Sequence, residues 1–216
     1  FAPLNIGENE KLPVMLWIHG GSNTIGTAKL YDPSVLASTQ RVIVVTLNYR
    51  LGIFGWFYHP SIKNLSESPE DGSGNYGTLD QIQSLKWIRQ NISHFGGDKE
   101  NITIFGESAG GHNVYTLLFS PLAEGLFHKA ISQSGSTKTL SIDQAVSIDD
   151  SIKNNSNGTS SKEILNQLII AEGLAIDRNS AIEMQNTMRD HEIVNFLRNQ
   201  TKEQIMNTYY DNLDNK

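Results

Sequence analysis

Phe105-Gly106-Glu107-Ser108-Ala109-Gly110 decides how this 216-residue chain is read, because it sets a serine in a G-x-S-x-G pattern between two regular elements. Upstream, Asn101-Ile102-Thr103-Ile104-Phe105 has the composition of a buried strand; downstream, Gly111-His112-Asn113-Val114-Tyr115-Thr116-Leu117-Leu118-Phe119 reads as a helix. A serine on a sharp strand-to-helix turn is a nucleophile elbow. Gly106 and Gly110 suit such a turn, since the crowded backbone leaves no room for a Cβ on either side of the serine. The turn lifts the Ser108 hydroxyl clear of the sheet and sets it at a helix N-terminus, where free N–H groups and the positive dipole end stabilise an oxyanion.

A G-x-S-x-G match also arises by chance, so its surroundings matter. Leu12-Pro13-Val14-Met15-Leu16-Trp17-Ile18-His19 is an apolar strand running into Gly20-Gly21-Ser22. In a hydrolase with a serine elbow, that position presents the second oxyanion donor. Strands and helices alternate as in a parallel sheet covered on both faces. Strands are predicted at 13 to 19, 42 to 48, 101 to 106 and 129 to 133, each a short run of the fully buried kind. A helix is predicted from Leu79 to Ser93, with Ile82, Leu85, Trp87, Ile88 and Ile92 mostly on the face over the sheet. Ser34 to Ala37 belongs to another helix, and Leu65 to Asn75 reads as a loop.

The chain resembles the type B carboxylesterases and cholinesterases of the α/β-hydrolase fold. Besides the elbow, the blocks that carry this are Trp17-Ile18-His19-Gly20-Gly21-Ser22, Asn48-Tyr49-Arg50-Leu51-Gly52-Ile53-Phe54-Gly55, Gly74-Asn75-Tyr76-Gly77-Thr78-Leu79-Asp80-Gln81, Phe95-Gly96-Gly97-Asp98 and Ala130-Ile131-Ser132-Gln133-Ser134-Gly135-Ser136. The resemblance implies a mostly parallel central sheet covered by helices on both faces, here incomplete at both ends. It makes Ser108 the nucleophile and assigns the oxyanion hole to the N–H groups of Gly21, Ser22 and Ala109, with Gly20 shaping the loop. It gives Ser134 a supporting place in a buried hydrogen-bond network; a solvated turn serine is the alternative. Glu107 either tunes the field beside the nucleophile or is a structural carboxylate bonded to backbone.

Asn23 stands where the family usually carries an aromatic residue, which changes the expected pocket lining and points to short, uncharged acyl groups. Trp56 replaces the usual Phe, and Thr78 a more apolar residue. The larger departure concerns the triad, whose order in this fold is Ser, then Asp or Glu, then His. After Ser108 the histidines are His112, His128 and His191. His112 is within conceivable reach but leaves the acid no place between; a packed or solvent-reaching helix histidine is its plainer reading. His128 and His191 read as surface residues. Of the earlier ones, His19 belongs to the oxyanion strand, His59 to a loop before Pro60, and His94 to a helix end. The expectation is therefore a piece of a larger enzyme, with acid and base encoded beyond Lys216 and any export signal before Phe1. By resemblance, such an enzyme is secreted or periplasmic.

Lys+Arg 17 against Asp+Glu 23 gives a net charge of −6, and no basic cluster with interleaved aromatics argues for nucleic acid. The lack of cysteine excludes disulfides and a thiol nucleophile. No run approaches the roughly 18 apolar residues of a membrane span. No metal-ligand cluster or cofactor motif is visible, and the chemistry expected needs no cofactor. Sequons at Asn64, Asn91, Asn101, Asn154, Asn157 and Asn199 arise readily in an Asn- and Ser-rich chain.

A composition break at Ser147 to Ser161 separates residues 1–146, the expected hydrolase core, from residues 147–216, an exposed loop and helical region. Ser160-x-x-Glu163 and Thr201-x-x-Gln204 read as capping boxes. The helices behind them are expected to form part of a cap over the site, although helices at a domain interface would look identical in sequence. Together these features predict a serine ester hydrolase with a small-molecule ester substrate. The alternatives are a non-catalytic cholinesterase-like adhesion or scaffold protein, and a peptidase or lactonase on the same site.

Overall fold

The computed structural model describes residues 1–148 and 160–214. It contains two compact units: Phe1–Gly55 with Gly77–Lys138, and Trp56–Tyr76 with Thr139–Lys216. This division differs from a boundary after residue 146, because the short segment 56–76 is held by the C-terminal helices. Asn64 donates to Asp190 at 2.9 Å there, although 126 residues separate the two. The sequons at Asn154 and Asn157, and most of the composition break, lie outside the described residues.

The first unit is built on a parallel sheet of β1 (Leu12–Ile18), β2 (Ile43–Thr46), β3 (Gly97–Glu107) and β4 (Lys129–Gln133), in the order β2-β1-β3-β4. Val14, Leu16 and Ile18 stand in register with Ile102, Ile104 and Gly106, so one face carries a buried apolar column. Each such side chain contributes about 1.5–3 kcal/mol on burial. Residues between them point the other way: Met15 and Phe105 pack with Leu36 and Ala37 of helix α1 (Ser34–Gln40) and with Val42 and Val44. Helices α2 (Gly52–Gly55), α3 (Pro60–Asn64) and α4 (Tyr76–Asn91) follow β2, and α5 (Ala109–Phe119) joins β3 to β4.

Several expectations need correction. Among the described residues β4 is the outermost strand, and Ile131 keeps 46% of its surface exposed there. β2 ends at Thr46 rather than 48, because Asn48 turns aside to accept from Ala28 N–H and Tyr49 turns to stack on His19. β3 begins at Gly97, opposite Leu12, and its register shifts before Ile102 pairs with Val14. Trp87 does not face the sheet with Ile82, Leu85, Ile88 and Ile92. At 100° per residue it sits about 140° around α4 from Ile82, is 47% exposed, and meets Phe95 instead.

The second unit is helical: α3, then α6 (Ile142–Val146), α7 (Ser161–Ala171), α8 (Arg178–Thr187), α9 (Asp190–Asn199) and α10 (Lys202–Asp214). Leu165, Ile169, Ala181 and Ile193 form its apolar centre. Beside them runs a buried polar chain in which Gln185 donates to Asn166 at 2.6 Å and Asn166 donates to Glu163 at 3.2 Å. Thr201 and Gln204 form the reciprocal capping box expected of them, at 2.8 and 3.1 Å. At Ser160 only half of the expected box forms. Its hydroxyl accepts from Glu163 N–H at 3.3 Å, but the Glu163 carboxylate is taken by the Arg178 guanidinium at 3.0 Å. No described helix is long and apolar enough to cross a membrane.

Candidate active site

β1 connects to β2 on one side and lies against β3 on the other, so the strand order reverses between β1 and β3. In open α/β sheets the crevice beyond the strand ends at such a switch point is where ligands bind. The register pairs Ile18 with Gly106, so the residues just after each strand come level. Gly20 and Ser108 therefore meet. A Cβ built on Gly20 would lie 3.2 Å from that of Ser108 and 2.7 Å from the Glu107 carbonyl oxygen.

Ser108 adopts φ 55°, ψ −120°, a strained conformation for a side chain with a Cβ. The surrounding backbone holds it there. Its N–H donates to the Gln133 carbonyl at 2.9 Å, and its own carbonyl accepts from His112 N–H at 2.9 Å, opening α5. A Cβ on Gly110 would fall on the Ile18 carbonyl oxygen, so the elbow helix packs on the sheet only because that residue is glycine. The Ser108 residue is exposed at the mouth of a cavity of about 300 Å³ lined by Ser22, Asn23, Ser108, Ala109, His112, Ser134 and Ser136. Ala109 N–H is the first of the helix, a position with no intrahelical acceptor.

The opposite turn carries Gly21 at φ 106° followed by Ser22 and Asn23 at φ 56° and 57°. Two consecutive non-glycine residues in the left-handed region cost roughly 1–2 kcal/mol each, so this turn too must be held from outside. Thr24 and Ile25 N–H both donate to the Gly21 carbonyl at 3.0 Å, and Gly52 N–H donates to the Asn23 carbonyl at 2.7 Å. The Asn23 side chain does not hang free in the cavity. Its carbonyl oxygen accepts from Asn113 Nδ2 at 2.9 Å, and its Nδ2 donates to Asn113 Oδ1 at 3.4 Å.

Beneath this turn, buried His19 stacks on Tyr49 with ring centres 4.5 Å apart, and the Tyr49 hydroxyl donates to the His19 carbonyl at 2.5 Å. Burial pushes the Tyr49 phenol up to about 12, against a hydrogen bond with Asn113 that pulls it down. At neutral pH it is a neutral donor. Neither Asn113 nor Tyr49 was singled out from the sequence. The signal was there for Asn113, which shares the i, i+3, i+4, i+7 buried face of α5 with Gly110, Val114 and Leu117.

The remaining candidates spread apart. Glu107 is exposed beside Gly20. Ser134, at φ 53°, lies on the cavity wall and is exposed among the described residues. His112 lines the cavity and its Nδ1 lies 3.5 Å from Ser136 Oγ. His128 Nδ1 accepts from Ile102 N–H at 3.1 Å. That is six residues down β3 from Ser108, or about 20 Å at the strand rise. His94 is exposed and bonded to Asn91, His191 is exposed on α9, and His59 is buried as the N-cap of α3. Thus none of the described histidines hydrogen-bonds the Ser108 hydroxyl. No described group of three or more His, Asp or Glu residues has the arrangement to hold a metal ion.

The carboxylesterase family model matches residues 1–216. The chain belongs to the carboxylesterase family. The chain is 53% identical over 135 residues to a medium-chain fatty acyl-CoA hydrolase precursor from Anas platyrhynchos, covering 62% of the chain and 23% of the relative. It is 52% identical over 149 residues to the para-nitrobenzyl esterase of Bacillus subtilis (strain 168), covering 68% and 29%. A solved PNB esterase superposes with TM-score 0.69 at 36% identity, over 94% of this chain and 36% of that one. The chain thus has the α/β-hydrolase fold, and it spans 23% to 29% of the length of those two curated relatives.

Proposed function

We propose that the protein carrying this chain is a serine carboxylic-ester hydrolase that works through an acyl-enzyme on Ser108. The observation that carries this is Ser108 at φ 55°, ψ −120°, exposed on one cavity with Ser22 and Ala109. In this reading the Ser108 hydroxyl attacks the ester carbonyl, and the N–H groups of Gly21, Ser22 and Ala109 stabilise the charge on its oxygen. The alcohol leaves with a proton, and water then releases the acid and restores Ser108.

The base and orienting acid are assigned to sequence outside residues 1–216. Two observations support this: none of the described histidines hydrogen-bonds the Ser108 hydroxyl, and the relatives are several times longer than the matched segment. The names of those relatives, an acyl-CoA hydrolase and a para-nitrobenzyl esterase, support acyl transfer to water as the reaction class. No step of it calls for a cofactor.

A fluorophosphonate probe is expected to label the full-length protein at Ser108, and Ser108→Ala is expected to lower ester turnover by about 10⁶-fold. Labelling that persists in Ser108→Ala, or a wild-type protein inert to both probe and esters, defeats the reading. Inertness favours a non-catalytic adhesion or scaffold role.

A further inference from the structure

We propose that Asn113, on the elbow helix α5, is a positioning residue for the turn Gly21–Thr24, acting through its reciprocal amide pair with Asn23. This rests on the reading of the cavity as an ester-hydrolysing site. The hydrogen bonds from Thr24 and Ile25 back to Gly21 close the turn on itself but do not fix where it sits relative to the elbow. The amide pair ties it to the elbow helix directly. It joins residues 90 positions apart, one on the turn and one on the helix that Ala109 opens.

Asn113 is 2% exposed, so its amide is held by packing and has few other states available. Tyr49, whose phenol feels Asn113, is itself anchored on the His19 carbonyl, one residue before Gly20. Strand register brings the two turns level, and this amide pair adds a side-chain tie between the Gly21–Ser22 N–H groups and the helix that Ala109 opens. Asparagine suits position 23 twice over, since it tolerates the left-handed region and supplies both a donor and an acceptor. Donors aimed at a developing oxyanion act on the transition state more than on the bound ester, so loosening their spacing lowers kcat and leaves KM nearly alone.

The test compares Asn113→Ala, Asn23→Gly and the double variant in the full-length protein, with p-nitrophenyl acetate as substrate and amide hydrogen exchange over residues 21–25 as a second readout. Asn23→Gly keeps the left-handed backbone accessible and removes only the amide. Each single variant is expected to lower kcat about 10- to 100-fold with KM within about twofold. The double variant is expected to be no worse than the poorer single, because both remove one link. Exchange across the turn is expected to quicken in both.

Wild-type kcat in either folded single variant, or losses that multiply in the double, overturns the proposal. Where Asn113→Ala does not fold, Asn23→Gly decides. A wild-type protein that hydrolyses no ester and resists fluorophosphonate defeats the esterase reading instead. Exchange then decides the link by itself, and unchanged protection in the variants refutes it.

Discussion

The sheet unit and the helical unit are held in order by different parts of the polypeptide. Around the elbow the decisive contacts are backbone on backbone: Gly110 under the Ile18 carbonyl, Gly106 against Gly110, and Ser108 N–H on Gln133. In the helical unit they are side chains: the Thr201/Gln204 box, the Glu163–Arg178 pair, the buried Gln185–Asn166 amides and His59 capping α3. A strained backbone tolerates no added atom, because no rotamer relieves the clash. A capped helix loses one hydrogen bond at a time.

The comparison breaks most readily at Gly110. Gly110→Ala is expected to destabilise the protein by about 3 kcal/mol, at the upper end for overpacking, because the new methyl meets a strand carbonyl and not a flexible side chain. Chemical denaturation measures it. A loss below about 1 kcal/mol, the scale of a single lost cap, would mean that the elbow relaxes as easily as a helix end.

His59 sharpens the comparison through pH. It is 2% exposed, and burial chiefly, helped by the Lys162 charge, lowers its imidazole from 6.5 to about 4. The folded state holds it neutral, so its contribution is complete above pH 6.5 and is lost as pH falls from 6.5 towards 4. Between pH 7.5 and 5 the wild type is expected to lose about 2 kcal/mol through this group. His59→Asn keeps an N-cap acceptor for Ser61 N–H, so its stability is expected to fall by correspondingly less over that range. Parallel pH curves for the two proteins would show that His59 titrates normally.

The smallest effect belongs to the helix cap. Thr201→Ala is expected to cost about 1 kcal/mol by removing the acceptor for Gln204 N–H at 3.1 Å. Thermal unfolding is the measurement. An unchanged midpoint would show that this helix end is held by something other than its box.

Legibility in the sequence followed the range of the interactions. The elbow, the Gly20–Ser22 turn and the Thr201 box were legible because each is specified within about six residues. The Ser160 box formed only half, since a residue 15 positions away, Arg178, competes for Glu163. Trp87 was misplaced by treating a helix face as broader than it is.

By itself the sequence determined the chemistry on offer: a serine on a glycine-flanked turn, backbone donors in two turns, and an alternation of elements that makes a parallel sheet. The tertiary structure decided how those parts meet. The β1–β3 register brings Gly20 level with Ser108, and packing buries Asn113 where its amide reaches Asn23. The physical reason is that local propensity acts over a few residues, whereas a register or an amide pair joining residues 90 apart exists only once apolar burial has drawn the strands together.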